Sequence, residues 1–470
     1  MFETITPIDN SVLLKREYAT EEDIETSLSN SYSVREHWKN ISLEERKKSV
    51  LNFVEIFLKN KDVSSNLCKQ IGRPIAQCPG EMRGFEERAR YMIDNADRAL
   101  SRVVSIKNDE FDNYIKKEPL GTIFVIAPWN YPFNTSVNSI VPSLLAGNAV
   151  ILKHSSQTPL CAEELYEAAK QSSLPKNIFQ YLHLDHDQTS RIISDSRINH
   201  VLFTGSVSGG KQIKKSIGTR FIGAGLELGG KDPAYVRADC DLDHAVENLV
   251  DGSYFNSGQS CCGIERIYVD KKIYNTFVEK FKDVTEKYVL GNPLEMETNL
   301  GPVVKQSAAN YIRSEVNNAI SQGGKNIIDN KKFNLDDGNN CYVSPSALIN
   351  VDHSMKYMME EIFGPSVGIM KVENENEALS LMNDSSYGLT ASIWTNDKSF
   401  AENFGKNVET GTFFMNRCDY LDPGLAWTGV KDTGIGVTLS VLGFDHLTRA
   451  KSYHISCLLY TSDAADECDS

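Results

Sequence analysis

No stretch of this sequence approaches the ~20 consecutive apolar residues that a membrane-crossing helix needs, and the mean hydropathy is −0.33. Runs of Lys and Arg are missing as well. The chain carries 49 basic against 63 acidic residues, a formal net charge of −14. A surface this acidic suits neither nucleic acid nor an anionic membrane. The opening MFETITPIDNSVLLKREY lacks a basic segment followed by an apolar block, so secretion is not expected and a cytoplasmic location is. The 10 cysteines form no CxxC pair and no zinc-like Cys/His spacing, and the 9 histidines form no HExxH. No metal site is expected. Disulfides are not expected in a cytosolic chain of this size, so Cys68, Cys78, Cys161, Cys240 and Cys341 read as reduced, mostly buried thiols. Internal repeats, heptads and low-complexity tracts are also missing.

The chain has 470 residues, 41% of them hydrophobic, enough for two or three domains and a large core. The first hundred residues read as helices. Ser42 offers a cap, and Val50, Leu51, Phe53, Val54, Phe57 and Leu58 make an apolar helical stripe. From Thr122 short β-branched runs alternate with helical segments: strands at 122–127, 149–153, 179–184 and 200–204, helices at 134–146, 159–171, 189–194 and 208–217. A second series follows Gly229-Gly230, with strands at 233–236 and 266–269 and helices at 242–255 and 273–288. Such alternation predicts an α/β fold with parallel, doubly wound sheets. The polar stretch 330–340 reads as a surface loop, and the run from Cys457 to Ser470 reads as a non-native tail resembling a translated sequencing adapter.

Four segments could carry chemistry. In Phe255-Asn-Ser-Gly-Gln-Ser-Cys261-Cys262 a helix runs into Gly258 and a thiol follows three residues later. A nucleophile on such a turn reaches a cleft, where nearby backbone N–H groups lower its pKa. Two buried structural cysteines fit this segment alone equally well. Glu227, in Leu226-Glu-Leu-Gly-Gly-Lys231, has apolar neighbours that would raise its pKa toward that of a general base; taken alone, a solvated or ion-paired Glu is the plainer reading. Asn130, in Pro128-Trp-Asn-Tyr-Pro132, follows a strand and offers an amide donor for an oxyanion, or else an Asx-turn between prolines. Phe203-Thr-Gly205-Ser206-Val-Ser-Gly-Gly210 follows a strand and opens a helix, a setting for a pyrophosphate, although it is not GxGxxG.

Taken together and in this order, FNSGQSC, ELGGK, APWNYP, LKHSSQTP, FTGS and Glu360-Glu-Ile-Phe-Gly-Pro365 resemble the aldehyde dehydrogenase superfamily over about 35–453. The resemblance implies a Rossmann-type cofactor domain (1–100 and 120–226), a second α/β catalytic domain (227–430) and a small β oligomerisation arm with a C-terminal segment (101–119 and 431–456). It implies Cys261 as nucleophile, Glu227 as the base for the hydrolytic water, and the Asn130 amide with the Cys261 N–H as oxyanion hole. It places Trp129, Lys153, Ser156, Gly205, Ser206, Gly210, Glu361 and Phe363 at an NAD(P)+ cofactor, with Lys153 and Glu361 on the two riboses. A homodimer or homotetramer oxidising a small-molecule aldehyde to its acid, through a cysteine thiohemiacetal and thioester, is the implied function.

Two departures bear on specificity. Ser156 stands where NAD-preferring members usually carry a Glu that binds the adenosine 2′-hydroxyl, so NADP is expected to be accepted. Leu425-Ala-Trp427-Thr-Gly-Val-Lys431 replaces a common Pro-Phe-Gly-Gly pattern, putting Trp427 near the substrate loop 417–423. Phe133, Tyr254, Phe255 and Tyr420 are candidates for an aromatic tunnel. Arg417 is the one candidate partner for a succinate-semialdehyde-type substrate. Competing functions are a CoA-acylating enzyme, which would lack the water-activating Glu, a non-catalytic binding or structural protein of the same fold, and a cysteine hydrolase.

Overall fold

The computed structural model describes residues 1–457; the tail beyond Cys457 lies outside the described residues. Two twisted sheets dominate. The first has six strands in the order Gly434–Ile435, Gly223–Glu227, His200–Thr204, Thr122–Ala127, Ala149–His154 and Phe179–Tyr181, parallel except for the first. The second has seven, in the order Lys325–Asn326, Ser346–Ile349, Ser366–Val372, Ile264–Asp270, Asp232–Val236, Thr390–Trp394 and Thr412–Met415, again parallel except for the first. The expected α/β class with doubly wound parallel sheets is what the chain adopts.

The central strands are apolar along their whole length because helices cover both faces. Thr122–Ala127 is buried at every position. On one face the helices Leu43–Phe57, Cys78–Leu100, Pro132–Leu145 and Pro159–Gln171 bring Phe53, Phe57, Phe85, Val141 and Leu165 against it. On the other, Glu21–Asn40, His186–Ser194 and Val207–Ile217 supply Ile24, Leu28, Ile192 and Ile213. The cap expected at Ser42 forms, its hydroxyl accepting from Glu45 N while the Glu45 carboxylate reaches back.

A third sheet stands apart. Phe111–Pro119 pairs antiparallel with Val103–Lys107 on one side and Thr448–Ser456 on the other. Within the 431–456 segment, Gly434–Ile435 joins the first large sheet and Thr448–Ser456 joins this small one.

Three sequence expectations are corrected. The first hundred residues are not all helical: Phe2–Ile5 and Val12–Arg16 form a hairpin. Its partners are remote, with Thr4 donating to the Ser156 carbonyl and Tyr342 to that of Ile8, so no local period reveals it. The strand expected over 179–184 ends at Tyr181. The strand Gly223–Glu227 was not expected at all, since its two glycines and short length hide the alternation.

Candidate active site

The thiol loop begins where the helix Leu242–Tyr254 ends. After an extended Phe255, three residues take left-handed backbone conformations in succession: Asn256 (φ 51°), Ser257 (φ 56°) and Gly258 (φ 68°). Non-glycine residues hold such angles only when their surroundings over-determine them. Here the Asn256 side chain accepts from Arg73 Nε at 3.0 Å and donates to the Asn130 and Gln259 carbonyls at 3.3 and 3.2 Å. Ser257 donates to the Gly301 carbonyl, and Gln259 Oε1 accepts from Val304 N. A Cβ on Gly258 would lie 2.2 Å from the Gly364 carbonyl oxygen, so only glycine fits. The turn therefore closes against four remote segments and delivers Cys261 at its exit.

Cys261 is half-buried and Cys262 buried. The Cys262 thiol donates to Asp419 Oδ1 at 3.1 Å, beside Ser260, whose hydroxyl donates to the same oxygen at 2.8 Å. Its Cys261 neighbour, burial and the Asp419 carboxyl all push the Cys262 thiol up, which disfavours a thiolate there.

Both cysteines line a cavity of about 360 Å³, and so does Glu227. The two come from different sheets: Glu227 ends the strand Gly223–Glu227 of the first, and Cys261 precedes the strand Ile264–Asp270 of the second. Their loops touch, since a Cβ on Gly230 would lie 2.2 Å from the Cys261 carbonyl oxygen. Burial raises the Glu227 carboxyl above its ordinary range, opposed by hydroxyl donors Thr438 at 2.5 Å and Thr204 at 3.2 Å. Thr438 arrives through a backbone pairing with Trp427, which also puts the indole on the cavity wall.

Asn130 is buried just past the strand Thr122–Ala127. Its carbonyl accepts from Arg73 Nη2 and from Asn256, and its Nδ2 donates to the Gln259 carbonyl at 3.3 Å. The amide thus points to the backbone two residues before Cys261 and is not part of the cavity wall.

The residues expected at the cofactor fall into two groups. One follows the carboxyl ends of the first sheet. Lys153 is half-buried, has no ion pair among the described residues, and is shifted below its ordinary value by burial. Ser156 is exposed in the turn beyond it. Gly205 and Ser206 lead into the helix Val207–Ile217, where the Ser206 hydroxyl caps Gly209 N at 3.1 Å. Gly210 packs on Leu228, where a Cβ would meet that side chain at 2.7 Å. The other group joins the two sheets. Glu361 accepts from Gly230 N at 2.8 Å, and burial, with Glu265 nearby, pushes its carboxyl to about 8. The Phe363 ring, on a residue with φ 55°, stands edge-on to Trp129 with centroids 5.6 Å apart. An unpaired lysine, a helix N-terminus capped by Ser206 and a raised carboxyl fit a dinucleotide bearing phosphates and ribose hydroxyls.

Of the aromatic tunnel candidates, Phe255 and Tyr420 line the cavity. Phe133 and Tyr254 do not: Phe133 packs on Phe57 in the core, and Tyr254 is buried with its hydroxyl donating to the Ser346 carbonyl. Arg417 lies over the Tyr420 ring. Arg73, Glu81, Arg88, Asp419 and Thr438 all shape the site and carry no motif that would mark them in sequence. Arg73 had a local hint, standing between Gly72 and Pro74, and Asp419 lay within the loop 417–423.

Residues 1–453 match the model of the Aldehyde dehydrogenase family. The NAD(P)+ succinate semialdehyde dehydrogenase Sad of Escherichia coli (strain K12) is 30% identical over 441 residues, 94% of this chain and 95% of that protein. A 3-sulfolactaldehyde dehydrogenase of Priestia megaterium (strain ATCC 12872 / QMB1551) is 31% identical over 426 residues, 89% of this chain and 87% of that protein. Among solved structures, succinic semialdehyde dehydrogenase from Streptococcus pyogenes in complex with NADP+ superposes with a TM-score of 0.92 at 28% identity, covering 97% of this chain and 100% of that one.

Proposed function

The chain belongs to the aldehyde dehydrogenase family, and from that premise we propose that Cys261, Glu227 and Asn130 carry its NAD(P)-dependent oxidation of an aldehyde. The Cys261 thiolate adds to the aldehyde carbon. The Cys261 N–H and the Asn130 amide, once turned from Gln259, hold the oxyanion; one such donor is typically worth about 3–4 kcal/mol. NAD(P)+ supplies the hydride acceptor, so the adduct becomes a thioester on Cys261. Glu227 takes a proton from the water that cleaves it, releasing the acid and restoring the thiol. Lys153, Ser156, Gly205, Ser206, Gly210, Trp129, Glu361 and Phe363 are assigned to hold the cofactor. Ser156 presents no carboxylate to a 2′-phosphate, which supports use of NADP.

The observation that carries this reading is one cavity walled by both the Cys261 thiol and the Glu227 carboxyl. The presence of Glu227 favours water over CoA as the second nucleophile. Replacing each cysteine in turn tests the reading. Cys261→Ala should abolish reduction of NAD(P)+ by aldehyde, and Cys262→Ala should retain most of it. The opposite pattern, read at 340 nm, would make Cys262 the nucleophile.

We further divide the chain into a cofactor domain (1–100 and 120–226), a catalytic domain (227–430), and the arm with the C-terminal segment (101–119 and 431–456). Val103, Ile106 and Ile115 stand exposed on one face of that arm sheet and Val104 and Ile455 on the other, and we assign the arm to a homodimer or homotetramer contact. No helix among the described residues is long and apolar enough to cross a membrane.

A further inference from the structure

We propose that Arg88 selects aldehydes whose far end carries an anion, a carboxylate or a sulfonate, a specificity that rests on the catalytic reading of the same cavity. Arg88 lies on the helix Cys78–Leu100, is only 9% exposed, and lines the cavity with Cys261 and Glu227. Its single hydrogen bond within the described residues runs from Nη1 to the Asn134 carbonyl at 2.8 Å. A guanidinium has five N–H donors in a planar fork, so most of them have no protein acceptor. A buried cation without a counter-charge is costly, and burial indeed pulls this guanidinium below its ordinary value.

Glu81, Glu87, Glu227, Asp251 and Asp419 share the cavity wall with it, yet none makes an ion pair with it among the described residues. Glu81 is held by Arg73 and by the N–H groups of Phe133 and Asn134. Glu227 is held by Thr204 and Thr438, and Asp419 by Ser260 and Cys262. Asp251 lies beside Tyr288, and Glu87 is exposed at the cavity rim. The wall next to Arg88 is polar and unsatisfied in its own right. Asn134 and Asn138, one turn apart on the helix Pro132–Leu145, both line the cavity, and the Oδ1 atoms of both are buried without a partner. Their NH₂ groups donate to no protein acceptor among the described residues and are not buried, so as they stand they can meet an anion beside the guanidinium. Such a fork suits the planar oxygen pair of a carboxylate or the oxygens of a sulfonate. A neutral alkyl tail would leave all these groups unpaired.

The test compares succinate semialdehyde with butanal in the full-length enzyme and in Arg88→Met and Arg88→Lys. Wild type should favour succinate semialdehyde in kcat/KM. Arg88→Met should lose about tenfold to a hundredfold on it, the span of a charge-assisted hydrogen bond, mainly through KM. Its loss on butanal should be far smaller, and Arg88→Lys should recover part of the difference. A second readout needs no turnover: succinate should slow alkylation of Cys261 by iodoacetamide in wild type and not in Arg88→Met. Equal losses on both aldehydes, or succinate protection that survives Arg88→Met, would overturn the proposal and leave Arg88 as a structural or Glu227-biasing charge. Arg88-dependent protection without reduction of NAD(P)+ by any aldehyde would instead contradict the catalytic reading while supporting the anion site.

Discussion

Arg73 does more at this site than any side chain that a motif would pick out. It is 1% exposed, and its guanidinium reaches Glu81 at 2.5 Å, Asn256 Oδ1 at 3.0 Å and the Asn130 carbonyl, above the Tyr131 ring. One cation thereby ties the Asn130 turn to the thiol turn and anchors both, through Glu81, to the N-terminus of the helix Pro132–Leu145. Removing one partner of such a pair leaves a charge buried alone, so Arg73→Met should cost about 3–5 kcal/mol, measured as a shift in denaturant midpoint at constant slope. Arg73→Met with Glu81→Leu should recover part of that loss. Cys261 and Glu227 stood out in sequence only because FNSGQSC and ELGGK occur together as a family resemblance; taken alone, each segment left a structural reading open. Arg73, Arg88, Asp419 and Thr438 did not, because what defines them is who they meet: Thr438 reaches Glu227 across 211 residues of chain. The fate of Phe133 and Tyr254 makes the same point, since an aromatic near a motif faces core or cavity by a rotation that composition does not record.

The turn Phe255–Gly258 shows what an element must do to present a nucleophile. A helix continuing past Tyr254 would bury residue 261 along its own axis. Instead the chain reverses through left-handed angles, and the Asn256 amide replaces the lost backbone hydrogen bonds. Gly258→Ala would combine a φ of 68° with a 2.2 Å approach to the Gly364 carbonyl. It should destabilise by at least about 1–3 kcal/mol and lower kcat more than it raises KM, because the displaced loop carries the thiol; steady-state kinetics beside thermal unfolding would check this. Four strands of the first large sheet and two of the second were readable as short apolar runs, whereas Gly223–Glu227, the remaining strands of the second sheet and the hairpin Phe2–Ile5 with Val12–Arg16 were not expected. Short strands gain their stability from the sheet they join, so local pattern is a weak signal for them.

At the scale of the whole molecule, the arm sheet and the cavity both leave apolar surface to be covered. Val103 and Ile106, which share one face of the arm with Ile115, are 55% and 46% exposed, and an exposed apolar face of this kind suits an association surface. If the arm carries the proposed contact, Val103→Lys with Ile106→Lys should move the enzyme toward monomers in sedimentation velocity while its far-ultraviolet spectrum is kept; an unchanged sedimentation coefficient would place the contact elsewhere. The cavity itself exists because two sheets meet, one bringing a carboxyl held above its ordinary range and the other a thiol. The measurement that reaches this pairing most directly is stopped-flow reduction of NADP+ by Glu227→Gln, compared with wild type and followed against pH. A pre-steady-state burst near one equivalent per active site should persist, because Cys261 still forms the thioester. Steady-state turnover should fall about 10²- to 10⁴-fold. In wild type, turnover should also decline toward acid at a pH above the ordinary Glu range, since the raised carboxyl becomes protonated there; that limb should vanish in the variant. Loss of the burst together with turnover, or turnover untouched by the substitution, would contradict a site in which Cys261 bonds the substrate and Glu227 frees it.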